Sequence, residues 1–401
     1  MKKKIIIISN GTLPIPAILG GAAENLTQVL LEFNEKFDDF DFTVFSIGEN
    51  KIDAKQIAAF KNTNFVFINE NIILFKFKKI VRFLVNKKVT NFIPNQFLSA
   101  VLNHKKELEK ADLILVSNNP FYGKHLKKVV KCPVYLHLHN DYINEDQSEN
   151  KIMLLNYFDK VIGVSNFIKK RVLKVTPKSC KVSFVYNGID LDRFNLVDKA
   201  FESNLKKKYN IKEEDIVFIY SGRMQKSKGI VILLESFLVL LKKHKNIKLL
   251  FVGGSVYHSS KMNEVTTSLK NIVEESLAFK NVFFTGFIDY KYIHHYYKIS
   301  SVAVLPSIET EAFGLTSIEA QAAGLPVIVS DAGGMPETIN KGSGFIVKVK
   351  QDLKHQLIHF MDLLIKDDKL IESMSKEALF NSQSFSYSFY YKQIKSELNE
   401  K

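Results

Sequence analysis

Residues 306–337 read PSIETEAFGLTSIEAQAAGLPVIVSDAGGMPE, and they decide how the whole chain is read. Two carboxylates, Glu311 and Glu319, stand with seven residues between them. Between them lies a glycine-bearing turn, Phe313-Gly314-Leu315-Thr316, which leads straight into a helical pattern. A helix rises about 1.5 Å per residue, so the Leu315 amide and Glu319 are expected roughly 6 Å apart along the axis. The free N–H groups of a first helical turn, with the helix dipole, favour an anion, and phosphate is the usual guest. A carboxylate ahead of the turn suits sugar hydroxyls; one a turn further in suits the hydroxyls of a ribose. The stretch predicts a site for a sugar nucleotide. The plainer alternative is an amphipathic helix with two solvated glutamates, as short motifs often turn out to be.

Around this stretch, 401 residues predict two or three domains, each able to bury its own core. The composition is that of a soluble globular protein, 46% apolar, without a run long enough to span a bilayer. The start, MKKKIIIISN, imitates a secretory signal, but the apolar run Ile5 to Ile8 is too short for one and reads as a buried first strand. Two cysteines, Cys132 and Cys180, argue against a disulfide framework and fit a reducing cytoplasm. Of the net charge of +14, +10 falls in residues 1–200. A basic chain suits nucleic acid, anionic lipid or phosphorylated ligands, and no nucleic-acid signature is present.

The first half alternates β-branched runs with helical patterns: Ile5–Ser9, Phe42–Ser46, Phe65–Ile68, Leu113–Ser117, Val134–His137, Lys160–Val164 and Val182–Val185. A second series follows a polar linker at about Leu196 to Ile211: Ile216–Ser221, Ile247–Val252, Val282–Thr285, Val302–Leu305, Val327–Ser330 and Phe345–Val347. Such alternation predicts parallel sheets with right-handed crossovers, whose ligands bind beyond the carboxyl ends of the strands. Informative residues do follow strands. Gly20-Gly21 open a helix, where a backbone can approach a ligand closely. His137-x-His139 ends a strand; two histidines without a third ligand nearby are weak evidence for a metal. Ser221-Gly222-Arg223, followed by Lys228, sets a guanidinium and an ammonium five residues apart at a glycine turn, a pair able to neutralise a diphosphate. Val252-Gly253-Gly254-Ser255 and Thr285-Gly286-Phe287-Ile288 are further strand-end turns, and Ser165 reads as a helix cap.

Asp39-x-Asp41 and Asp190-x-Asp192 read as turn acids and receive no metal. The pair His294-His295 is expected on an exposed helix, without a role. Residues 71–90, NIILFKFKKIVRFLVNKKVT, hold six Lys or Arg, no acid after Asn71, and interleaved Phe75, Phe77 and Phe83. That composition suits either an anionic membrane surface or a helix with a solvated charged face.

Glu311 and Glu319, then Gly324-Leu325-Pro326-Val327-Ile328, Gly333-Gly334 and Glu337, resemble the C-terminal donor-site block of the GT-B glycosyltransferases, in the retaining family 4 type. Val185 to Phe194 (VYNGIDLDRF) resembles that family's domain crossing, and Phe385 to Tyr390 its returning final helix. The resemblance implies an α/β fold of two Rossmann-like, doubly wound parallel-sheet domains facing a cleft. It implies an acceptor domain at 1–195, a nucleotide-sugar domain at 196–384, and a helix at 385–401 returning to the first domain. Catalytic roles would fall to Glu311, His139, Arg223 and Lys228. Donor contacts would come from Gly20, Gly21, Gly222, Arg223, Lys228, Gly286, Phe287, Ile288, Glu311, Phe313, Gly314, Leu315, Thr316 and Glu319. Asp141 and Asn119 would serve the acceptor.

The implied reaction moves a sugar, from a UDP-sugar as the expected donor, to a hydroxyl of a glycan or lipid-diphosphate acceptor in surface polysaccharide synthesis. It needs no cofactor and no metal, and takes place in the cytoplasm or on the inner membrane face. The alternative is a non-catalytic relative that assembles membrane or coat material. The acid usual near the second glycine of Gly253-Gly254 is missing here.

Overall fold

The computed structural model describes residues 2–69, 94–254 and 264–400; the basic stretch 71–90 and Ser255 lie outside them. The chain divides into two units, Met1–Asn187 with Tyr390–Lys401, and Gly188–Phe389.

In the first unit β1 (Lys3–Ile8), β2 (Phe40–Ile47), β3 (Thr63–Ile68), β4 (Leu113–Ser117), β5 (Val134–Leu138), β6 (Lys160–Gly163) and β7 (Lys181–Phe184) form one sheet, ordered β3-β2-β1-β4-β5-β6-β7. In the second, β8 (Ile216–Ser221), β9 (Ile247–Val252), β10 (Val282–Gly286), β11 (Val302–Leu305), β12 (Val327–Ser330) and β13 (Gly344–Val347) take the order β10-β9-β8-β11-β12-β13. Every pairing is parallel. Parallel strands are covered on both faces, which is why they read as unbroken apolar runs. Ile5 to Ile8, Leu113 to Val116 and Val302 to Leu305 are all buried.

Each sheet reverses its winding once, between β1 and β4 in the first unit and between β8 and β11 in the second. A crevice opens beyond the carboxyl ends of the strands at such a reversal. The turns after β1, β8 and β11 are among those that the sequence marked as informative, while the marked turns after β5, β9 and β10 lie away from the reversals.

Two expectations change. The stretch taken as a polar linker contains a helix, Lys199–Lys208, capped by the Asp198 carboxylate, which accepts from the Phe201 N–H at 2.9 Å. Its apolar side is real: Phe201 stacks on Tyr292, with ring centres 5.7 Å apart, and Leu205 is buried. The crossings between units fall after Asn187 and after Phe389, rather than after residues 195 and 384. Ile189 pairs with Ser386 as an isolated parallel bridge, so both crossing strands are tied together inside the second unit.

The last helix, Tyr387–Asn399, buries Tyr390, Tyr391, Ile394 and Leu398. Its polar side is bound as well. Asp39 accepts from the Tyr391 hydroxyl at 2.7 Å and from Lys395 at 2.6 Å, so the Asp39-x-Asp41 acid is a latch for this helix. Lys160, only 2% exposed, pairs with Glu397 and with Glu400. Burial works against its charge, but the two glutamates outweigh that and raise its pKa. No helix among the described residues is long and apolar enough to cross a membrane.

Candidate functional site

Gly222 and Arg223 follow β8, and Pro306 to Gly314 follow β11, so the second unit gathers its predicted residues at its winding reversal. The ammonium of Lys228 meets the Glu311 carboxylate, with both side chains about one-fifth exposed (19% and 22%). The Ser307 hydroxyl donates to the same carboxylate oxygen at 2.7 Å, and the Ser330 hydroxyl donates to the Ser307 carbonyl at 2.6 Å. Backbone bonds hold the two turns together, Ile308 N–H donating to the Ser227 carbonyl at 2.8 Å. This approach requires Gly229. Its φ is +71°, and a Cβ there would lie 1.9 Å from the Pro306 carbonyl oxygen. On the other side the Glu311 carbonyl accepts from the Gly334 N–H at 2.8 Å, which accounts for the Gly333-Gly334 pair in the motif.

Arg223 is exposed and forms no ion pair with a described residue. Its carbonyl accepts from the buried Tyr220 hydroxyl at 2.8 Å, which fixes the turn. The helix Leu315–Ala322 starts at Gly314 without a side-chain cap, and Phe313 is buried beneath it. A guanidinium without an ion pair to a described residue, an ammonium shared with a carboxylate and an uncapped helix start are thus carried by the turns that follow the neighbouring strands β8 and β11, and Arg223 and Glu311 both act on the Tyr220 phenol. That arrangement can hold two linked phosphates. Gly286 to Ile288 follow β10, where the Gly286 carbonyl accepts from the Gly253 N–H at 3.1 Å, and Phe287 is exposed.

Glu319 is 7% exposed, on the inner side of the helix. The Tyr297 hydroxyl donates to its carboxylate at 3.4 Å, and the Tyr290 phenol bonds to it as well. Burial lifts its pKa from 4.5 to about 7; the two phenols and the nearby Arg193 guanidinium pull the other way. Arg193 lies 4.7 Å from the Tyr290 ring centre.

The remaining predicted residues belong to the first unit, at the ends of β1, β4 and β5. His139 is buried, with both ring nitrogens lacking a partner among the described residues, and its ring centre lies 4.1 Å from that of His137. Burial holds the His137 pKa down to about 4, and burial plus the neighbouring ring holds His139 well below its usual value, so both rings are neutral. The His139 N–H donates to Asn118 at 3.0 Å. Asn119 donates to the Asn10 carbonyl at 3.5 Å. Asp141, assigned to the acceptor, is held by Arg171 at 3.0 Å, and the same guanidinium binds Glu145 and Asp146. Gly20 faces open space, whereas Gly21 does not: with φ +102°, its Cβ position lies 2.2 Å from a Glu24 carboxylate oxygen. That carboxylate is buried and accepts from Asn10 at 2.9 Å.

Sequence reasoning missed Ser307, Tyr290, Tyr297, Arg193 and Glu24. Ser307 had a signal, since it stands four residues before Glu311 and just past the end of β11, after Pro306; the tyrosines are distant in sequence and had none. The expected exposure of His294-His295 is also overturned. Both are buried, 3% and 7% exposed, because His295 packs on Phe201 of the helix that replaced the linker. Asp190 is a helix cap, accepting from the Arg193 N–H at 3.3 Å. Among the described residues no group of three or more His, Cys, Asp or Glu is placed to hold a metal ion.

Comparison with known proteins decides the family. The sequence model of "Glycosyl transferases group 1" matches residues 201–379 and that of "Glycosyltransferase Family 4" matches residues 69–193. The chain belongs to the GT-B glycosyltransferases of the family 4 type. It is similar to the lipopolysaccharide 1,2-N-acetylglucosaminetransferase of Salmonella typhimurium, 26% identical over 67% of this chain and 69% of that one. It is also similar to the spore coat protein SA of Bacillus subtilis, 26% identical over 76% of this chain and 74% of that one. In fold it is similar to Anabaena HepE, solved in complex with UDP and glucose: TM-score 0.71, 18% identity, the whole of both chains covered. As a GT-B glycosyltransferase it carries the two Rossmann-like parallel sheets of that fold.

Proposed function

We propose that this glycosyltransferase moves a hexose from a UDP-sugar to a hydroxyl of a glycan or lipid-linked acceptor, with retention at the anomeric carbon and without a divalent metal. The observation that carries the reading is the Lys228–Glu311 pair and the uncapped start of Leu315–Ala322, with Arg223 on the turn after the neighbouring strand β8. Departure of the sugar leaves a diphosphate anion, and preorganised positive groups at the place where charge develops are a large source of catalysis. Lys228 has three donor hydrogens. It can hold a diphosphate oxygen while it keeps Glu311, whose second oxygen is then offered to sugar hydroxyls. Glu319 takes the ribose. His139, neutral and lacking partners for its ring nitrogens, suits a hydroxyl rather than a charge.

The similarity to a lipopolysaccharide transferase and the crystallised UDP complex of HepE support a UDP donor and a surface-glycan acceptor. The similarity to a spore coat protein favours a second reading, an assembly protein without turnover. Calorimetry with UDP and GDP, each with and without EDTA, separates the two. Binding of UDP that EDTA does not alter is the expected result. Loss of binding in EDTA would overturn the metal-free reading, and absence of any nucleotide binding would favour the assembly role. Proton NMR of the product then reads the anomeric outcome.

A further inference from the structure

Three side chains around Glu319 come from elements that the donor motif does not include. Tyr297 lies on the helix Ile293–Lys298, Tyr290 on the turn Tyr290–Tyr292, and Arg193 on the helix Leu191–Asn195. Two phenols donate to one buried carboxylate, and a guanidinium lies against the outer ring face of one of them. A carboxylate oxygen accepts hydrogen bonds only as far as the groups around it leave it the charge and the free lone pairs to do so. We propose that Tyr297 and Tyr290, with Arg193 behind them, are positioning residues for the donor: they hold Glu319 ionised and oriented so that it accepts the ribose hydroxyls.

The proposal rests on the assignment of Glu319 to the ribose. The groups facing that carboxylate are few. Tyr297 also bonds to Ser221 and lies near Tyr220; Tyr290 lies near Tyr387; Arg193 pairs with Asp190 at 3.6 Å. Behind them, His294 is buried with an unpartnered Nδ1, and His295 lies 3.5 Å from Glu202. Arg193 is thus the cation whose charge reaches Glu319, and burial opposes it. Removing a phenolic donor or the guanidinium makes the ionised carboxylate harder to form. A ligand that needs the ionised form then binds only at higher pH.

The test is the dissociation constant of UDP, by calorimetry between pH 5.5 and 9, for wild type, Tyr297→Phe, Tyr290→Phe, Arg193→Gln and Glu319→Gln. The ratio of each variant to wild type cancels the titration of UDP itself. Tyr297→Phe and Arg193→Gln are expected to weaken binding about three- to tenfold at pH 7 and to approach wild type at pH 9. Glu319→Gln is expected to bind weakly, with a ratio to wild type that widens as pH rises. Ratios for Tyr297→Phe, Tyr290→Phe and Arg193→Gln that do not change with pH would make these residues structural and overturn the proposal. The three substitutions lie on three elements, so failure of one variant to fold leaves the other two to decide. Absence of UDP binding to wild type would overturn the donor assignment together with the proposal. Binding by wild type with all ratios near one would overturn the proposal alone.

Discussion

The two units present opposite kinds of polar site at the same place in the same kind of sheet. In the second unit the groups beyond β8 and β11, Arg223 apart, are paired: Lys228 with Glu311, Ser307 with Glu311, Glu319 with two phenols. In the first unit the groups beyond β1 and β5 are neutral or already occupied. His139 has no partner among the described residues for either ring nitrogen, Glu24 fills the space at Gly21, and Arg171 holds Asp141. On the proposed function, the paired, charged site would take the donor's anion, and the neutral site with unsatisfied nitrogens would take hydroxyls and select by shape. The glycine turn at Gly20-Gly21 belongs to this contrast. Read from sequence as a turn of close backbone approach, with donor contact implied by the resemblance, it has a buried carboxylate of the protein's own against Gly21.

The largest test of that contrast is turnover. Arg223→Ala removes the exposed guanidinium proposed to meet the diphosphate and should lower kcat by about 10²- to 10³-fold, the usual loss for a group that stabilises developing charge. His139→Ala should cost less, on the order of tenfold, since a single neutral hydrogen bond of roughly 1.5 kcal/mol is lost. Steady-state rates with a UDP-sugar donor measure both. Equal losses would break the distinction between a charge-stabilising unit and a hydroxyl-binding one.

How far the sequence reached follows the same line. All thirteen strands among the described residues were legible, because a parallel sheet buries both faces and leaves an apolar run such as Val302 to Leu305. The Glu311 turn was legible because its parts are contiguous: strand, glycine, uncapped helix. What escaped lay in contacts between distant segments. Tyr297 meets Glu319 across 22 positions, and the Lys199–Lys208 helix shows so much lysine that its few apolar contacts, Phe201 and Leu205, were outweighed in a composition reading. The exposure expected for His294-His295 failed for the same reason, since the helix that covers His295 had been read as linker.

Stability gives the next prediction. Lys160 is buried in the first unit and pairs with Glu397 of the last helix and with Glu400 just past its end, whereas Lys206 pairs with Glu213 at the surface of the second. Breaking a buried pair by removing one partner costs about 3–5 kcal/mol, and a surface pair contributes about 0–1 kcal/mol. Lys160→Ala should therefore shift the denaturant midpoint far more than Lys206→Ala. The raised pKa of Lys160 means that this stability is fully present below 10.5 and is lost as pH rises through its higher folded value. Comparable shifts for the two variants would show that the final helix is held by its apolar face alone.

The last prediction sets the two units against each other in pH. Glu319 has a folded pKa of about 7 against an ordinary 4.5, so the unfolded chain ionises it first. At about 1.4 kcal/mol per pH unit, its burial costs the second unit about 3 kcal/mol, a penalty that builds from pH 4.5 and levels off near 7. His137 has a folded pKa of about 4 against 6.5, and here the unfolded chain takes up the proton first. Its burial therefore costs the first unit a similar amount, about 3 kcal/mol, in the other direction, beginning below pH 6.5 and complete near 4. Hydrogen exchange followed by mass spectrometry resolves segments of each unit separately. On going from pH 7 to pH 5, protection should fall around β5 and rise around Leu315–Ala322, after correction for the intrinsic rate. Glu319→Gln should remove the second trend and leave the first, while His137→Phe should weaken the first, which His139 shares, and leave the second. A parallel change in both units would mean that they open together, and the separate burial of one acid and one base could no longer explain how each responds.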